Sequence, residues 1–365
     1  METRHRTYAG DASAMTAIED DAVDLVVTSP PYPMIELWDE QFAAQSEASA
    51  AALESGDGDA AFEAMHGVLD SVWREVSRVL CSGGIAAVVV GDATRTIDDR
   101  FRVYPNHARV TEAFVSLGFD PLPDVLWRKP ANGAAKFMGS GMVPPNAYVT
   151  LEHEYVLLFR NGEDSRSFEP GASRRYESAY FWEERNCWFS DIWTGVRGTR
   201  QDRLHGDRDG SGSDARAASP DGEGDSLNRD QSAAYPFEIP YRLICMYSLY
   251  GDTVLDPFLG IGTTTLAAMV AGRNSVGYEL DPAILADLDG RVDDVPARTE
   301  RVVTDRLDAH RAFVEQRQAA GDEFAYEAAN YDFPVRTRQE RAIQFRVVDE
   351  FTRTDGDYRV TYEPK

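Results

Sequence analysis

The segment Asp252-Thr253-Val254-Leu255-Asp256-Pro257-Phe258-Leu259-Gly260-Ile261-Gly262-Thr263-Thr264 carries a short apolar strand into a glycine turn, and Thr265-Leu266-Ala267-Ala268-Met269-Val270 reads as the start of a helix. Glycines at such a junction let a ligand approach the backbone closely, at the positive end of a helix dipole. About 20 residues beyond Gly260, Ser275-Val276-Gly277-Tyr278-Glu279-Leu280-Asp281 reads as a second strand. It ends in a carboxylate, Glu279, at the spacing of a ribose hydroxyl partner. The turn lacks the Gly-Lys-Ser/Thr ending that grips a nucleoside triphosphate, which disfavours ATP.

Far upstream, Val23-Asp24-Leu25-Val26-Val27 reads as another apolar strand and runs into Thr28-Ser29-Pro30-Pro31-Tyr32. Two prolines fix the backbone φ angles and remove two N–H donors. The turn is therefore rigid, and it presents carbonyl oxygens and a hydroxyl without competing donors. Tyr32 adds a flat ring on which a planar base can stack. Acceptors beside a stacking surface suit the exocyclic amino group of a nucleobase. Alone, these residues equally describe a strand followed by a polar proline turn; the downstream motif favours the chemical reading.

Together the two motifs resemble the amino-methyltransferases of DNA, in the permuted class whose catalytic motif precedes the S-adenosylmethionine motif. The resemblance covers most of the chain. Gly10-Asp11-Ala12, Trp73 to Leu80, Gly83 to Asp92, Val125 to Pro130, Glu152 to Phe159, Asp191-Ile192-Trp193 and Tyr235 to Ile244 follow in that family's order. The resemblance implies an α/β fold, a Rossmann-like methyltransferase sheet with a circularly permuted motif order and an inserted target-recognition region.

It also implies roles. Ser29 and the Pro30 carbonyl would accept from the two N–H groups of a base turned out of double-stranded DNA, with Pro31 in the same rigid turn and Tyr32 stacking on the base. S-adenosylmethionine would sit over Gly260 and Gly262, beside Pro257, Phe258, Thr263 and Thr264, with Glu279 accepting from its ribose. Asp256 would orient the loop or approach the methionine amine, Asp11 the adenine or methionine end, and Phe237 and Asp281 complete the set. Serine at the head of the catalytic motif resembles the cytosine-N4 enzymes. Adenine N6 is the runner-up, and a catalytically silent DNA-binding relative the third reading. The enzyme would act alone or beside a separate restriction endonuclease; the recognised sequence is not legible, CTAG being a guess from halophilic relatives.

Charge complicates the DNA reading. The 365 residues include 62 acidic against 37 basic, a net charge of −25, and the only lysines are Lys129, Lys136 and Lys365. Phosphate neutralisation normally dominates DNA affinity, but salt screens self-repulsion. The acidity is read as adaptation to high salt, with arginines concentrated where DNA lies. Lys129, Lys136, Arg174, Arg175, Arg197 and Arg200 are the candidate DNA contacts, and arginine suits bidentate guanine readout. Cys81, Cys187 and Cys245 are too few and scattered for a disulfide framework or a cysteine zinc site. None follows a proline, so the Pro-Cys nucleophile of the cytosine-C5 enzymes is absent. No metal is expected. The first residues lack a signal peptide's apolar stretch and no run reaches membrane-span length, so a cytoplasmic protein is expected.

Strand-like runs at 23–27, 85–90, 124–127 and 154–159 alternate with helical stretches at 68–80 and 107–117, an α/β pattern. Residues 40–66 read as a helical insertion or a mobile loop. Residues 198–234, nearly free of apolar side chains, read as a flexible loop. The expected division is 1–161 for the catalytic half, 162–234 for target recognition, 235–295 for the cofactor half and 296–365 for a C-terminal extension holding a small hairpin.

Overall fold

The computed structural model describes the chain except residues 130–137, 140–141, 197–234 and 355. Among the described residues one sheet gathers eleven strands: β1 (Glu2–Ala9), β2 (Val23–Thr28), β3 (Leu80–Val90), β4 (Phe119–Pro121), β5 (Val125–Arg128), β6 (His153–Asn161), β7 (Ile192–Trp193), β8 (Thr253–Asp256), β9 (Asn274–Glu279), β10 (Arg346–Thr354) and β11 (Asp357–Pro364). Their order is β7-β5-β6-β3-β2-β8-β9-β1-β11-β10, with β4 also on β6. The five central strands, β3-β2-β8-β9-β1, are mutually parallel. The fold is the mixed α/β sheet that the strand–helix alternation predicts.

The helices are α1 (Asp39–Gln45), α2 (Glu47–Ser55), α3 (Gly58–Val79), α4 (Asn106–Ser116), α5 (Ser173–Glu177), α6 (Trp182–Trp188), α7 (Glu238–Tyr247), α8 (Thr263–Ala271), α9 (Pro282–Val292) and α10 (Val295–Ala319). Central strands are buried on both faces, and their alternating side chains feed two separate cores. Leu25, Val27, Ala87 and Val89 pack with α7 and α8, whereas Val26, Ala86, Val88 and Val90 pack with α3 and α4. The stretch read as insertion or loop is helical. It runs into α3, whose Phe62, Met65, Leu69, Val72, Trp73 and Val76 make a buried stripe at helical spacing. Asp57 starts that helix by accepting from the Ala60 amide at 3.0 Å, upstream of the predicted start at 68.

The C-terminal hairpin forms, and it belongs to the main sheet. Its strand β11 pairs antiparallel with β1, Thr3 opposite Val360 and His5 opposite Tyr358. Pairing partners so distant in sequence leave no local trace. Residues of the expected 162–234 and 296–365 segments share one core: Phe181, just before α6, packs with Val303, Leu307, Phe333 and Phe345. Glu184 holds Arg306 through two bonds of 2.6 and 2.7 Å. The expected flexible loop, 198–234, lies outside the described residues.

Candidate active site

The parallel strands aim their carboxyl ends one way, and the turns beyond them enclose a cavity of about 840 Å³. Ligands of open α/β sheets collect at this edge. Strands β2 and β8 are neighbours, with Leu25 beside Val254 and Val26 beside Leu255. The proline turn after β2 and the glycine turn after β8 therefore leave the sheet side by side, although more than two hundred residues separate them.

Asp256 ties the two turns together. Its carboxylate accepts from Thr28 Oγ1 at 2.6 Å, Thr264 Oγ1 at 2.5 Å, the Phe258 amide at 3.1 Å and the Tyr235 hydroxyl at 3.4 Å. The residue is 3 % exposed. Burial pushes its pKa up to about 6, against the opposing pull of those four donors. This favours the loop-orienting role over direct contact with a ligand amine.

The glycine turn is shaped for close approach. Gly260 has φ 52° and Gly262 φ 80°, both in the left-handed region that glycine enters freely. A Cβ on Gly260 would find only the Phe258 carbonyl, at 4.0 Å, so the backbone there is open to the cavity. At Gly262 the crowding comes from the protein, since a Cβ would lie 2.4 Å from Leu288 Cδ1. Thr263, at the first turn of α8, lines the cavity with a buried hydroxyl that has no partner among the described residues. Glu279 at the end of β9 accepts from the Gly260 amide at 2.8 Å and the Asp281 amide at 3.0 Å, and burial raises its pKa. Asp281 caps α9 by accepting from Ala283 at 2.8 Å.

On the other side, Ser29 Oγ and Tyr32 Oη lie 3.1 Å apart, and Tyr32 donates to Glu154 Oε2 at 3.1 Å. Glu154 also pairs with the Lys129 ammonium, which sits 4.9 Å from the Trp127 ring. Burial, then the Glu154 charge, raise the Tyr32 pKa well above its ordinary value, so its phenol is neutral. Gly91 makes room for this arrangement: a Cβ there would lie 3.1 Å from Tyr32 Cε2 and 3.2 Å from Glu154 Cγ.

Residues 23–288, which span both turns, match the N6 and N4 DNA methylase family. This chain belongs to that family. The Type II methyltransferase M.MthZI of Methanothermobacter thermautotrophicus is 44 % identical over 347 residues, covering 94 % of this chain and 90 % of the relative. The Type II methyltransferase M.MjaI of Methanocaldococcus jannaschii is 45 % identical over 295 residues, covering 78 % and 89 %. Among solved structures, TTHA0409 of Thermus thermophilus, a candidate DNA modification methylase complexed with S-adenosyl-L-methionine, is 30 % identical with a TM-score of 0.59. That match covers 80 % of this chain and 95 % of the other.

The cofactor of the methylase is S-adenosylmethionine, and the site fits it. Gly260 leaves space where a side chain would stand, Thr263 offers an unpartnered hydroxyl, and Glu279 stands at the end of the neighbouring strand. Asp11, Pro257, Phe258, Thr264 and Asp281 also line the cavity, as do Ser29, Pro30, Pro31, Tyr32 and Lys129. The Glu279→Ala protein is expected to bind S-adenosylmethionine about 1–3 kcal/mol more weakly by calorimetry, the cost of an unpaired contact. Unchanged affinity would remove Glu279 from the cofactor site.

The structure places other expected residues away from the cavity lining. Gly262 does not line the cavity; its conformation and its packing on Leu288 explain the glycine. Phe237 stacks on Tyr241 at 5.5 Å under the Arg298 guanidinium, and Tyr235 from the same segment reaches the cavity instead. Arg174 pairs with Asp252 at 3.2 Å, alongside Arg166 at 2.7 Å. Asp252 precedes β8, so this cluster sits at the amino end of the strand, opposite the cavity. Arg175 lies in the same region, 5.3 Å from the Phe168 ring. Both arginines therefore stand away from the cavity mouth, held by Asp252 and the Phe168 ring. Lys136, Arg197 and Arg200 lie outside the described residues.

Residue-level reading missed Tyr235, Glu154 and the wall made by Trp38 and by Phe42 of α1. Glu154 did carry a signal: on β6 it is in phase with the buried Val156 and Leu158, an inward position where a carboxylate needs a partner. No helix among the described residues is long and apolar enough to cross a membrane, and no His, Cys, Asp or Glu group there could hold a metal.

Proposed function

We propose that this methylase modifies the exocyclic N4 of cytosine in double-stranded DNA, on a base turned out of the helix into the cavity. The carrying observation is the neutral Ser29 hydroxyl at the head of the proline turn, held by Tyr32 beside the glycine turn. A serine accepts from an amino group without burying a charge near the base. The Pro30 carbonyl is the second acceptor, since prolines at positions 30 and 31 leave no N–H to compete. An amine bonded to two fixed acceptors gains electron density at nitrogen, and its developing positive charge is stabilised. When bound, S-adenosylmethionine supplies a methyl group already activated on a sulfonium sulfur. Gly260, Thr263 and Glu279 hold it, and the chain's contribution to the transfer is alignment.

The cavity of about 840 Å³ supports binding of cofactor and base together. Two relatives named as Type II methyltransferases support a modification role, alone or beside a separate nuclease. The motif order, proline turn before glycine turn, supports the permuted class. Target recognition is assigned to residues 162–234, outside the two strand–turn units, and the negative surface to a high-salt environment. Mass spectrometry of nucleosides from DNA treated with the protein at high salt tests the reading. N4-methylcytosine is the expected product. N6-methyladenine would transfer the assignment to adenine, and absence of both would overturn it.

A further inference from the structure

We propose that Glu154 is the proton-accepting end of a relay from the target amine, running through Ser29 and Tyr32. The inference rests on the amino-methylation reading of the Ser29 turn. It follows from counting hydrogens. A tyrosine hydroxyl carries one hydrogen, and an ionised carboxylate can only accept. Because Tyr32 gives its hydrogen to Glu154 Oε2 at 3.1 Å, it can only accept from Ser29, whose oxygen lies 3.1 Å away. Ser29 has then spent its single hydrogen. What it presents to the cavity is lone pairs, the orientation an amine N–H requires.

The same chain resolves where a proton goes. Methylation leaves an exocyclic amine with one positive charge and one hydrogen too many. That N–H bond breaks as Ser29 Oγ takes the proton, Ser29 passes its own hydrogen to Tyr32 Oη, and Tyr32 passes its own to Glu154 Oε2. The amine ends neutral, both hydroxyls are restored and the carboxylate becomes a carboxylic acid. Glu154 then loses the proton to water past Lys129, whose side chain is 47 % exposed. Glu154 itself is 8 % exposed, so this carboxylate is buried with two partners and a cavity in front of it. The titratable groups facing it are Lys129 from the end of β5 and Tyr32 from the proline turn, with Tyr235 beside Tyr32. It is a positioning residue, because it acts on the substrate through Ser29 and Tyr32.

The test uses Glu154→Gln and Tyr32→Phe, on a duplex whose methylated position has been mapped with the wild-type protein. In single turnover both variants should be slower by at least about a hundredfold. A binding readout separates this from simple misplacement. Wild type should favour the mapped duplex over one whose target base lacks the amino group. Glu154→Gln should narrow that preference, because a glutamine amide can donate to Tyr32 and turn Ser29's hydrogen toward the substrate. S-adenosylmethionine affinity should be unchanged. A Glu154→Gln protein with wild-type rate and preference overturns the relay while leaving methylation intact. A wild-type protein that methylates no base removes the functional reading and the relay with it.

Discussion

Ser29→Ala protein is expected to transfer methyl groups about 10²–10³-fold more slowly in single turnover, the loss typical of deleting one preorganised polar contact to a developing charge. In the proposed reaction Ser29 is the acceptor for one amine N–H, and its neighbour Pro30 supplies the other from the backbone, which no side-chain change removes. Alanine fits the space, since Ser29 is half-buried and its side chain bonds only Tyr32 among the described residues. Binding of S-adenosylmethionine should therefore be unaffected, because the residues proposed to hold it lie across the cavity on the turn after β8 and at the end of β9. The measurement is rapid-quench transfer of labelled methyl to DNA, paired with calorimetry of the cofactor. A rate within a few fold of wild type would take the acceptor role from Ser29 and shift attention to the Pro30 carbonyl alone.

Asp256→Ala should be the most damaging change for stability, costing about 3–5 kcal/mol, because it leaves several buried donors unsatisfied at once. Thr28, Thr264 and the Phe258 amide all aim at this carboxylate, and they belong to the two strands and turns that make the cavity. The pH dependence has a definite sign. Burial raises the Asp256 pKa to about 6 from an ordinary 3.8, so between those values the folded protein binds a proton that the unfolded chain does not. The stability contributed by this group is fully present below about pH 4 and is lost as pH rises through 6. At about 1.4 kcal/mol per pH unit, that is worth roughly 2–3 kcal/mol. The deficit of Asp256→Ala relative to wild type should therefore widen as pH is lowered from 7 to 4, opposite to the behaviour of a salt-bridged carboxylate. Urea titrations of both proteins at several pH values measure it. A deficit that stays constant or narrows would show that Asp256 is not ionised against a burial penalty.

Both expectations concern residues visible in the sequence, yet their force comes from contacts that were not. The strand–turn–helix junctions were legible because they are local. Val254 and Leu255 form a short apolar run, Gly260 and Gly262 allow positive φ, and Pro30 with Pro31 stiffens the other turn regardless of what surrounds it. The spacing from Gly260 to Glu279 was legible for the same reason, since one helix and one strand fix the distance between adjacent strand ends. Helix α3 was found only in part, because its first turns are rich in Ala, Gly and Asp and take their stability from burying Phe62 and Met65 rather than from propensity.

The amino-acid sequence by itself determined which segments become strands and turns, and which chemistry each turn carries. Tertiary structure alone decided that β2 lies beside β8, so that Thr28 can bond Asp256 and one cavity serves both turns. It also decided that Glu154 of β6 meets both Tyr32 and Lys129 beyond β5, that Tyr235 rather than Phe237 reaches the cavity, and that Arg174 is occupied by Asp252. The physical reason is range. Backbone conformation and hydrogen-bonding capacity are set within a few residues, whereas strand order and the pairing of buried charges are set by which faces must be covered together, over separations that leave no pattern in the chain.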